Sequence, residues 1–154
     1  MSEFKIDQAI QVLTFVLSKE MFGIDISSVR EVLDKSSITH VPQMPEYVTG
    51  VINLRGNVVP VIDMNKKFYN KETKVTVDSC IIVIEVPMDG GICILGALVD
   101  SVDEVVDFGS ASLEPAPKMG TQLQTGFIKC MAKKEDNFAI ILDVGKVFHA
   151  EEAL

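Results

Sequence analysis

A chain of 154 residues with 47% apolar and 23% charged side chains is long enough for one compact unit, or for two small lobes, and its composition excludes a disordered or fibrous polymer. Twenty-two acidic residues outnumber fourteen basic ones, for a formal charge of -8, which opposes attraction to a phosphate backbone and argues against nucleic acid as a partner. No apolar run approaches the roughly 20 residues that span a bilayer, and Glu3, Lys5 and Asp7 break any leader-like start, so the chain reads as cytoplasmic, with no direct membrane insertion.

Residues 4–10 form a short amphipathic lead-in, and the apolar run at 12–17 predicts a first strand that pairs with the segment 23–34 as a hairpin. Within it, 29–33 reads as a strand or a short helical segment with Val29 and Val32 turned inward. Residues 50–63 read GVINLRGNVVPVID. Two β-rich runs meet there at a polar corner in which Gly56 and Asn57 suit a tight turn and Arg55 is displayed. Pro60 cannot donate a ladder hydrogen bond, so it marks an edge, a bulge or a strand start. Residues 64–68 predict one helical turn behind Asp63, and the polar stretch 71–77 divides two lobes, at 12–70 and 78–148, with exchange of terminal segments between them an open possibility. In the second lobe 80–86 is a strand and 96–107 its hairpin partner. Pro115 and Pro117 make 114–120 a loop. Residues 144–148 form a second helical turn behind Asp143, and 149–154 a frayed end or helix end.

The halves repeat one another. Residues 23–34 align with 96–107, matching Gly23 with Gly96, Glu31 with Glu104 and Asp34 with Asp107; further on, Gly50 aligns with Gly126, and 61–68 with 141–148. Each half holds four or five short strands, so the predicted class is all-β: two small five-stranded barrels that remove exposed edges and bury apolar surface against each other. Gly50, Gly56, Gly96, Gly126 and Pro60 are turn and close-packing positions, and Asp63 and Asp143 cap the turns that follow them.

Motifs for chemistry are missing. No glycine-rich phosphate loop, G-x-S-x-G elbow or H-E-x-x-H spacing occurs, and His40 and His149 lie far apart; no enzyme, cofactor or metal is expected. Cys80, Cys93 and Cys130 are odd in number and set among apolar neighbours, and are read as buried free thiols. The informative charge is Arg55, whose fixed donor fork at the corner between two strands suits a carboxylate. Glu31 is the preferred partner. Val29, Val32 and Val58 read first as core, and secondly as a docking patch beside that charged corner, with Asn53 and Asn57 at its rim.

These blocks, together with Pro42 and the FGIDI run at 22–26, resemble the CheW family of bacterial chemotaxis coupling proteins over almost the entire chain. The resemblance implies two intertwined SH3-like barrels without catalysis. It further implies an adaptor that links the cytoplasmic tip of methyl-accepting chemoreceptors to the histidine kinase CheA, recruited to membrane-associated receptor arrays. Arg55 and Glu31 look like the charged pair whose disruption impairs coupling, with kinase contact on the first lobe and receptor contact near the groove between lobes. The same fold serving a non-flagellar surface behaviour, or a small hydrolase or ligand-binding barrel, are the rival readings.

Overall fold

The computed structural model describes residues 8–34, 38–88, 90–116 and 126–148. β-branched residues in alternation carry the first half into β1 (Ile10–Leu17), β2 (Glu20–Asp25), β3 (Val29–Asp34), β4 (Val48–Leu54) and β5 (Asn57–Asp63), closed by helix α1 (Met64–Tyr69). The second half gives β6 (Cys80–Met88), β7 (Gly91–Val99), β8 (Ser101–Phe108), β9 (Leu113–Glu114), β10 (Ile128–Lys134), β11 (Asn137–Leu142) and helix α2 (Val144–Val147). The segment left between strand and helix is resolved: a 3-10 turn at Ile26–Ser28, its N–H of Ser27 held by Asp25, leads into strand β3. The lead-in 4–10 and the end 149–154 fall mostly or wholly outside the described residues.

Two sheets result, ordered β8-β1-β2-β11-β10-β9 and β3-β6-β7-β5-β4. Hairpin β1–β2 joins the strands that follow residue 100, and hairpin β6–β7 joins β3, β4 and β5, through the parallel pairs β11–β2 and β5–β7. The repeat governs the ladders: Gly23 lies opposite Ile141 as Gly96 lies opposite Val61, and Val102 opposite Phe15 as Val29 opposite Ile84. Of the five-stranded pair expected, one sheet has gained a sixth strand. There β9 pairs with Met131 and Ala132, whereas its counterpart is a single bridge between Thr39 and Val51. Glu114, placed in a loop by its prolines, belongs to β9; residues 117–125 lie outside the description.

One block of the repeat is corrected. Tyr47 O accepts from Asp63 N at 2.7 Å and Phe127 O from Asp143 N at 2.8 Å, and both hairpins carry a bulge one step later, so Gly50 corresponds to Cys130 and not to Gly126. The shared glycine misled: a side chain at Gly50 would run into Thr39 O, while Gly126 sits in a turn with open space around it. Gly96 is a close-packing position, where a Cβ would lie 2.9 Å from Ile81 Cγ2. Pro60 lies mid-strand in β5, between β4 and β7, and meets the edge expectation only locally, on its N–H side. Val51 spends both backbone groups on Thr39, so Val51 and Pro60 face each other without ladder bonds, and the missing donor points to the side where pairing with β7 begins only at Val61.

Each sheet buries two faces. Ile52, Val59, Val61, Ile81 and Leu98 fill the inside of one, Val12, Phe108, Cys130, Ala139 and Ile141 the inside of the other. Between the sheets lies a larger shared core that includes Phe15, Phe22, Ile62, Ile84, Leu95 and Phe148. β1 and β6, buried on both faces, therefore read as continuous apolar runs. Across the shared core runs a stack of rings, Phe15, Phe22, Phe68 and Phe127, with successive centroids 6.0, 5.8 and 5.2 Å apart.

Candidate functional site

The β4–β5 hairpin turns on two residues, Arg55 at φ 52° and Gly56 at φ 87°, the positive pair that matches the twist of flanking strands. Asn53 accepts the N–H of Gly56 at 2.8 Å, which holds the turn from the side. Gly56 takes that backbone without cost, but arginine does so less readily. What fixes Arg55 is Glu31: Nη1 donates to Oε2 at 2.6 Å and Nη2 to Oε1 at 3.0 Å, a two-pronged contact.

That contact also reports the shape of the sheet. β3, which carries Glu31, and β4, which leads to Arg55, are opposite edges of the five-stranded sheet. Four flat strand spacings of about 4.8 Å would separate them by roughly 19 Å. The sheet is thus rolled, and among the described residues no backbone ladder joins its two edges. An ion pair clasps the seam instead.

The hydrogen bond from Arg55 holds the Glu31 carboxyl below its ordinary range, and the reciprocal bond raises the Arg55 guanidinium. A carboxylate depressed on folding contributes stability above its unfolded pKa and loses it as pH falls through the folded one. The clasp is therefore expected to be insensitive between pH 8 and 6, on the order of two to four units above an ordinary carboxylate, and to open only in acid. Guanidinium Nε shifts followed by NMR titration check this; a change centred near neutrality would refute it. Arg55 is 68% exposed against 23% for Glu31, so salt screens the pair.

Val58 is 75% exposed and Val32 42%, so neither is the core residue that β-branching implied. Both lie beside the clasp in sequence, Val32 after Glu31 and Val58 one ladder pair beyond the turn. Val29 packs in part against the shared core, and Asn53 and Asn57 are exposed. Asp63 caps α1, accepting from Lys66 N at 3.1 Å and also from Thr73 N at 2.9 Å, and Asp143 caps α2 through Lys146 N at 3.2 Å. Of the cysteines Cys130 is buried, whereas Cys80 in β6 and Cys93 in β7 are half-buried; none of the three is in a disulfide. Burial raises the Cys80 and Cys130 thiols, away from the thiolate that reactivity needs.

Sequence reasoning missed a buried polar joint. Asn65, 3% exposed, accepts from Ser18 Oγ at 2.8 Å and donates to Thr73 Oγ1 at 2.9 Å and Asp100 Oδ1 at 2.8 Å, while Ser18 N donates to Asp100 Oδ2 at 2.8 Å. It ties the β1–β2 turn, α1 and the β7–β8 turn together with every partner satisfied. No local signal marks it, since its members are single polar residues far apart in the chain.

Among the described residues no group of three or more His, Cys, Asp or Glu side chains is placed to hold a metal ion, and no helix is long and apolar enough to cross a membrane. The fold is similar to the crystal structure of the scaffolding protein TtCheW from Thermoanaerobacter tengcongensis, with a TM-score of 0.78 and 37% identity over 90% of this chain and 92% of that one. The class is that of the chemotaxis scaffolds. The chain belongs to the family of the CheW-like domain, whose model matches residues 11–152. The chemotaxis protein CheW of Klebsiella aerogenes is 30% identical over 92% of this chain and 83% of its own length, and that of Bacillus subtilis 29% identical over 93% and 89%.

Proposed function

We propose that the chain is a non-enzymatic scaffold that couples methyl-accepting chemoreceptors to the histidine kinase CheA, and so lets receptors control kinase activity in chemotaxis. The observation that carries the reading is the two-pronged Arg55–Glu31 contact, which holds a solvent-facing cation and the exposed Val32 and Val58 on one rigid corner of a family member. Kinase contact falls on this corner, with Asn53 and Asn57 at its rim and Val29 beneath, and receptor contact falls near the groove between the two sheets. The working site is cytoplasmic, at membrane-associated receptor arrays. Mechanistically the adaptor needs only to bind two states of the kinase with different affinity, for then a receptor-driven change in its placement shifts their populations.

Calorimetric titration of the chain against the regulatory domain of the kinase tests the reading. Saturable one-to-one binding is expected. No detectable heat, together with no comigration in size-exclusion chromatography, would overturn it. Crosslinks from the Arg55 corner that reach only receptor would reverse the assignment of surfaces.

A further inference from the structure

The tip of the β10–β11 hairpin carries Glu135 and Asp136 where the β4–β5 tip carries Arg55 and Gly56, because the last ladder pairs, Lys134 with Asn137 and Leu54 with Asn57, correspond. The carboxylate on the other side of the seam is kept. Glu104 follows Val102 on β8 as Glu31 follows Val29 on β3, each beside a bulge. Charge at this tip is thus inverted, and a tip residue there would repel Glu104.

The cation comes from one residue earlier. Lys134 Nζ lies 3.0 Å from Asp103 Oδ2 and 3.0 Å from Glu104 Oε2, although β10 and β8 stand four strand positions apart in the sheet, roughly 19 Å if it were flat. Lys134 takes the ladder place of Leu54, and its side chain is 24% exposed against 41% for Asp103 and 58% for Glu104; the stem is covered while the head reaches the seam. The opposite side is pinned as well. Buried Thr14 accepts the N–H of Glu104 at 3.1 Å and donates to its carbonyl at 2.8 Å, filling the bulge in the β1–β8 ladder.

We propose that Lys134 is the positioning residue of a second clasp, which holds the edge strand β8 against the β10–β11 hairpin and keeps the six-stranded sheet rolled. β8 is an eight-residue edge strand, and such an edge invites pairing with other chains unless it is covered or charged. The clasp also fixes one wall of a cleft of about 660 Å³, which Glu104 and Lys134 line together with Met21, Met131 and Phe138.

Hydrogen exchange of the full chain, read by mass spectrometry, tests it. Lys134→Met keeps the stem and removes the charge. Amides of residues 101–108 are expected to exchange about fivefold faster, those of 29–34 to stay as in the parent, and Lys134→Arg to restore slow exchange. Asp103→Asn combined with Glu104→Gln attacks the clasp from the other side and decides the matter if the methionine variant does not fold. Parent-like exchange at 101–108 without the charge, equal acceleration in both sheets, or an arginine variant as fast as the methionine one would each overturn the proposal.

Discussion

Phe22→Ala is expected to lower the free energy of unfolding by about 3–5 kcal/mol, the cost of a buried aromatic side chain plus the cavity it leaves. Phe22 is 3% exposed and stands second in the ring stack, between Phe15 of β1 and Phe68 of α1. The stack lies in the core shared by both sheets, so the loss should appear in one cooperative denaturant transition and not in half of the molecule. Val58→Ala, at a site 75% exposed, is the control and should stay within about 0.5 kcal/mol of the parent. A Phe22→Ala loss below about 1 kcal/mol would mean that the stack is ornamental to stability.

Arg55→Ala should leave the denaturation midpoint near that of the parent and weaken the kinase complex about fivefold or more, the behaviour of an arginine that anchors an interface. Ile52→Ala, three residues earlier and 3% exposed inside the five-stranded sheet, should do the reverse: it costs about 2–5 kcal/mol of stability and touches binding only through the fraction that remains folded. Binding is measured by the titration above and stability by denaturant unfolding of the same preparations. Equal losses of folding in both variants would overturn the reading that Arg55 chiefly organises an interface.

Much of this was legible because alternation and turn chemistry are local. The runs at 12–17 and 80–86 became β1 and β6, the Arg55 corner became a two-residue turn, and the repeat showed that two like units were present. Neighbours were not legible. Alternation says which face of β2 is buried but not that β2 lies beside β11, a parallel pairing across more than a hundred residues. The glycine at 126 drew the alignment off because residue identity was read where ladder position decides, and Pro60 could be read as tolerating a free side but not as lying in a strand that β7 joins one residue later. Arg55 and Glu31 were found as a pair because a fork at a corner asks for a carboxylate. Lys134 was passed over because the acidic tip beside it hid the equivalence.

The exchange of hairpins gives the adaptor an unusual dependence on order of synthesis. β1 and β2 leave the ribosome first, yet β2 gains its parallel neighbour only when β11 has emerged, and β3, β4 and β5 wait for β6 and β7. Neither half of the chain can finish a sheet by itself, and contacts so distant in sequence are slow to form. A half-made chain therefore has neither sheet complete, because each is finished only by strands from the opposite half, and the core that the two sheets share closes late.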